Sequence, residues 1–333
     1  MITDVVIVPG APLLLPEYQG RAPAVPGLLE SCVAAVRDAV ATAAHVVVVH
    51  ATDREPRSTR PAVGLRVADH LLAETHVGFT VEHVSVAWDA TVEECVATGQ
   101  AVASSTVSDE TSTGVRQRGA FAPAHDAKAP PFAAEGDAKR DVFAPVGDAK
   151  EPPFAAGGDA HGGVFASGGG AKTRRTTVLV VADGSARRTE KAPGHLDPRS
   201  HEVDDLIVEA IRDSARGGLE RLLELDPEVC ADLLVAGRAP LQVLAAAVAT
   251  AADAATAADA ATAADAATGA AAAPVGDPVS APVSASPALS ASAAGGGDAG
   301  RERTAYGRFE VVSCEVSDPF GVLYVVAHLA RAR

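Results

Sequence analysis

The chain has 333 residues, a formal net charge of -15 and 47% hydrophobic residues, yet only 4% aromatic ones. Alanine supplies much of the apolar share and buries little area per residue, so one modest core is expected rather than the two domains that length alone suggests. The acidic balance argues against coating nucleic acid or an anionic membrane surface.

At the amino end, Met1 to Asp4 has no basic stretch ahead of an apolar one, so Asp4–Val8, ended by Pro9 and Gly10, reads as a buried strand and not as a signal peptide. Pro26 opens a helix that places Leu28, Leu29, Cys32, Val33, Val36 and Val40 on one face. Val46–Val49 is a β-branched run of the kind found in strands covered on both faces. Val84, Val86 and Trp88 alternate as a third strand, and Thr91–Ala103 reads as a helix.

Residues 104–172 break this pattern. The text beginning at Phe121 returns at Phe143 with a period of 22 residues, each unit holding a Pro-Pro, several Gly and Ala and few Phe. Such a unit cannot bury enough apolar area to offset the entropy of ordering it, and two units are too few for a solenoid, so a disordered insertion is expected.

Thr177–Ala182 resumes as a fourth strand. Helices follow at Val203–Ala215 and at Pro227–Val235, the latter capped by Asp226, with a turn around Leu219–Leu225 between them. Pro240–Val248 is a further helix. Residues 249–303 form a second low-complexity block, first ATAADA repeats and then a Pro/Ser/Ala/Gly tract. A six-residue repeat advances about 600° around a helix, so Asp253, Asp259 and Asp265 fall on different sides and leave no continuous apolar stripe. A solvated helical extension is compatible with this spacing, whereas a packed one is not. Phe309–Val316 and Val322–His328, joined by Asp318-Pro-Phe-Gly321, read as an antiparallel hairpin.

The expected fold is therefore α/β, with a mixed, largely parallel central sheet flanked by helices. It is a single domain assembled from 1–103, 173–248 and 304–333, interrupted by the two insertions. Cys32, Cys95, Cys230 and Cys314 are scattered without a CxxC pair, which fits small core residues in a reducing compartment. No uninterrupted apolar run of about 18 residues occurs, so a soluble cytoplasmic protein is expected, with no membrane and no nucleic-acid partner and with any protein partner unspecified.

In open α/β sheets, ligands collect at the carboxyl ends of the strands. The loops there are Val8–Glu17 with its "PLLLPE", Val49–Asp53, Asp183–Lys191 within "VVADGSARR", and, at a helix junction, Val235–Leu244 within "AGRAPLQVL". In order and spacing these segments resemble the B-subunit family of class III extradiol ring-cleavage dioxygenases and its Memo-like relatives, over most of the core and neither insertion. The resemblance implies a mixed sheet flanked by helices. It also implies a non-haem Fe(II) held by two His and a carboxylate (a Cys in the Memo-like branch), with a further His as acid/base. Transferred to this chain, the first ligand falls at Gly10 or Ala11, the second at His50, the third at Ala236 and the acid/base at about Ala186. Only His50 can donate to a metal, so no cofactor is expected.

His50 is either a remnant ligand or a strand-ending His satisfied by backbone, and Asp53 either a substrate contact or a turn residue. His195 and His201, around Asp197, match no metal spacing well. Asp183-Gly-Ser185 lacks the second Gly of a nucleophile elbow. Arg187, Arg188 and Lys191 form a basic cluster that either holds an anion or is neutralised by Asp183 and Glu190. The expected pocket gathers Gly10, Pro12, His50, Asp53, Asp183, Ser185, Arg187, Arg188 and Arg238. Its guanidinium groups favour a small organic anion over a neutral catechol. The first expectation is thus an iron-free binding or regulatory module, and the alternative an Fe(II)-dependent ring-cleavage dioxygenase or other oxidoreductase with substitute ligands.

Overall fold

Apolar β-branched runs and amphipathic stretches alternate along the chain and assemble into one sheet with helices on both faces. The computed structural model describes residues 1–21, 23–55, 60–107, 174–270 and 308–332. The repeats around Phe121 and Phe143, and most of the Pro/Ser-rich tract, lie outside the described residues.

The six strands are β1 (Ile2–Val8), β2 (His45–Thr52), β3 (Thr80–Ala87), β4 (Thr176–Val181), β5 (Phe309–Ser317) and β6 (Tyr324–Arg331), arranged in the order β3-β2-β4-β1-β6-β5. β3, β2, β4 and β1 pair in parallel, whereas β6 is antiparallel to both β1 and β5. The mixed, largely parallel sheet inferred from sequence is thus present.

Alternation along each strand feeds two cores. Val46, Val48, Leu179 and Val181 point toward α1 (Leu28–Val40) and α2 (Val63–Ala73). Val47, Val49, Val178 and Val180 point the other way, under α3 (Val92–Val107), α4 (Arg199–Arg212), α5 (Pro227–Asp232) and α6 (Arg238–Ala270). All six residues of β4 are buried, as expected of a strand with neighbours on both edges and helices on both faces.

Two expectations change. α2 has no counterpart in the sequence reading, although Val67, Ala68, Leu71 and Leu72 form its buried stripe. α6 begins at Arg238 and runs on through the ATAADA repeats to Ala270 instead of ending near Val248. Its first turns are core, and Asp253 and most side chains from there to Thr262 are exposed, in line with a solvated extension. By length and composition, Arg238–Thr262 is apolar enough to cross a membrane, but 44% of the most apolar window is buried inside the protein.

Candidate site at the strand ends

The chain leaves β1 toward the α1 face and leaves β4, its parallel neighbour, toward the α4 face. Adjacent strands whose connections diverge in this way open a crevice at their carboxyl ends. Gly10, just past β1, and Asp183, just past β4, meet there: the Gly10 N–H donates to Asp183 Oδ1 at 3.0 Å. A Cβ on Gly10 would lie 3.2 Å from Asp183 Oδ2 and 3.2 Å from Val181 Cγ1. Opposite stands Gly64, in the first turn of α2, whose own Cβ would lie 3.2 Å from Val181 Cγ1 and 3.5 Å from His50 Cβ. Two glycines therefore leave a floor without side chains between Asp183, His50 and the start of α2.

That start of α2 is uncapped. Ala62 offers no side-chain acceptor, no acidic residue lies in the first turn, and the first helical hydrogen bond runs from Arg66 N–H to Ala62 O. The N–H groups of Val63, Gly64 and Leu65 thus have no partner among the described residues, and they carry the positive end of the helix dipole.

Asp183 is half-buried, and no cation among the described residues pairs with it. Burial pushes its carboxyl up to about 7, and the single hydrogen bond from Gly10 only partly opposes this. Tyr324 on β6, bridged to Asp183 through the backbone, is raised to about 12 by burial and by that same negative charge. His50 is 4% exposed, and its Nδ1–H donates to Ala51 O at 3.2 Å. Burial holds the imidazole below its usual range and hence neutral, so Nε2 carries a lone pair.

The other face of the same loop differs. Asp204 of α4, 1% exposed, accepts from Ser185 N–H at 2.8 Å, from Ser185 Oγ–H at 2.5 Å and from Arg188 Nη1 at 2.8 Å. Arg188 Nε also donates to Asp318 at 2.9 Å, which ties the loop to the β5–β6 turn. Ser185 is fully buried and its hydroxyl is committed to Asp204, and among the described residues no His hydrogen-bonds to it.

Of the segments expected to converge, those of Gly10 and Gly237 both meet Asp183, whose backbone O accepts from Gly237 N–H at 2.9 Å. The guanidinium groups do not join them. Arg238 is 2% exposed and donates to Gln242 Oε1, Trp88 O and Ala90 O at 2.9, 2.8 and 2.7 Å. It closes the end of β3 onto α6 and is sealed from solvent there. Arg187 lies 3.8 Å from Asp197 and packs across Gly194. Within the basic cluster Arg187 is paired with Asp197, and Arg188 with Asp204 and Asp318, rather than with Asp183 and Glu190. Pro12 begins a 3-10 turn and is exposed, as are Asp53, His195 and His201. All four cysteines are free, and burial raises Cys32 and Cys230 to about 12, which suits core residues and not nucleophiles.

The Fe(II) site implied by the resemblance does not fit these residues. Gly10, Ala11 and Ala236 have no donor atom, and His50 and Asp183 alone make an incomplete set. Among the described residues, no group of three or more His, Cys, Asp or Glu side chains is placed to hold a metal. Sequence reasoning missed Gly64 and Asp204. The first was legible as a glycine just after Pro61, at the head of the Val67–Leu72 stripe. The second had no local signal. No family model matches the chain, and no curated protein sequence matches it.

Proposed function

We propose that this chain is an iron-free binding module that holds a small organic anion at the carboxyl ends of β1, β2 and β4. One observation carries the reading: the bare floor of Gly10 and Gly64 lies between the uncapped start of α2 and Asp183. Three N–H groups without a partner among the described residues, together with a helix dipole, attract an anion there. The protonated Asp183 carboxyl supplies one more donor, whereas the ionised carboxylate repels the ligand. The anion recognition assigned to Arg187, Arg188 and Arg238 in the sequence thus passes to backbone N–H groups and a carboxylic acid.

The groups facing Asp183 are Tyr324 on β6, Cys32 on α1 and the Gly10 N–H from the β1 loop. Neither side chain ionises below pH 8, so the pH response belongs to Asp183. Calorimetric titration with acetate tests this. Affinity should fall about tenfold between about pH 6 and pH 8, as Asp183 ionises. The Asp183→Asn variant, which resembles the protonated acid, should bind equally at both. Adding Fe(II) should change neither result. Stoichiometric Fe(II) uptake with catechol cleavage would overturn the reading in favour of the dioxygenase, and so would an absence of acetate binding at either pH.

A further inference from the structure

The same crevice contains one polar atom that anion binding does not use. His50 is more than nine-tenths buried, and its Nδ1–H is committed to Ala51 O. Its Nε2 has no protein partner among the described residues, yet it is not one of their fully enclosed unpartnered atoms, so its residual exposure opens toward solvent. His50 shares the β2 face of Val46 and Val48, which lies under α2, and its Cβ adjoins Gly64. The nearby His83 is already paired with Asp69 at 3.2 Å. A neutral imidazole with a fixed tautomer presents one acceptor and no donor at this point. Water fills it poorly once an anion has displaced solvent from the floor, and a carboxylate oxygen cannot satisfy it at all. It requires a ligand group that donates a hydrogen.

Resting on the anion reading above, we infer that the ligand is a short-chain hydroxy acid, whose carboxylate lies at the start of α2 and whose hydroxyl donates to His50 Nε2. An uncapped helix start alone would attract any small anion; the acceptor beside it selects among anions for one that bears a hydroxyl.

The experiment compares glycolate with acetate, and lactate with propionate, by calorimetry at about pH 6. In the native chain each hydroxy acid should bind about tenfold more tightly than its deoxy partner. His50→Leu should erase that preference, the ratio of glycolate to acetate affinity falling to about one whatever the absolute affinities. NMR keeps the inference testable if His50→Leu does not fold: the His50 Nε2 nitrogen resonance should shift with glycolate and stay in place with acetate. Equal affinity for glycolate and acetate, or an Nε2 resonance that ignores glycolate, overturns this inference and leaves the anion reading intact. Failure of all four acids to bind overturns both.

Discussion

Asp183 and Asp204 stand on opposite faces of one loop and show two uses of a carboxylate. Asp204 receives three charge-assisted or neutral hydrogen bonds from Ser185 and Arg188, all within 2.8 Å, and is sealed from water. Among the described residues Asp183 receives one, from Gly10, on Oδ1, and its Oδ2 lies at the edge of the glycine floor. A buried charge that is fully satisfied fixes geometry; one left short of partners holds its proton more tightly and stays available to something else. The network around Asp204 thus anchors the loop from which Asp183 projects. Stability should therefore reside on the α4 face and chemistry on the α2 face.

The largest effect should come from breaking the anchored side. Asp204→Ala leaves Ser185 and Arg188 without their buried acceptor and should cost about 3–5 kcal/mol in chemical denaturation. A loss below about 1 kcal/mol would show that water replaces the carboxylate, and the contrast between the two faces would disappear. Arg238→Met comes next. Removing its donors strands the Trp88 and Ala90 carbonyls and the Gln242 amide oxygen, at a cost of about 2–4 kcal/mol. A variant of native stability that had lost acetate binding would instead restore Arg238 to the ligand site.

The third test inverts the sign. Asp183 ionises at about 7 in the folded chain but near 4 when unfolded, so folding favours its protonated form. The resulting penalty is absent below about pH 4, grows as pH rises and is complete above about pH 7. Asp183→Asn removes it while keeping an acceptor for Gly10. Without ligand, the variant should match the native chain near pH 4 and exceed it by up to about 4 kcal/mol at pH 8. A stability difference that does not vary with pH would mean that Asp183 is solvated and carries no stored penalty.

β1, β2 and β4 were legible because burial on both faces leaves an unmistakable apolar signature, as in Thr177–Val181. Asp226 was legible too, because a capping residue acts locally: it accepts from the N–H groups of Glu228 and Val229. The site was only half legible. His50 and Asp183 end apolar runs and so mark strand termini. What they do there depends on Gly10, Gly64 and Asp204, which reach them across the sheet or from a later helix. Arg187, Arg188 and Arg238 showed their charge in the sequence but not their partners, and charge without partners reads as a binding site. α2 went unread for the same reason that its start can bind: Ala62 offers no cap, and a helix without a start signal is hard to recognise.

The smallest expected effect on stability is the sharpest test of the crevice. Gly64→Ala adds one methyl group at the floor. In a helix, Ala is favoured over Gly by up to about 1 kcal/mol. Against this, the new Cβ stands 3.2 Å from Val181 Cγ1, closer than most such contacts, while 3.5 Å to His50 Cβ is ordinary packing. Val181 is buried but is the last residue of β4, where a shift of a few tenths of an ångström is easier than within the strand. The two effects should offset each other and leave stability within about 1 kcal/mol of the native chain. Binding has no such compensation, because the methyl wedges against Val181 and His50 at the strand ends and must shift them relative to the start of α2. Acetate affinity should therefore drop by at least about tenfold in a chain that melts as before. If Gly64→Ala binds acetate as the native chain does, the anion does not lie on this floor, and the free N–H groups of α2 serve no ligand.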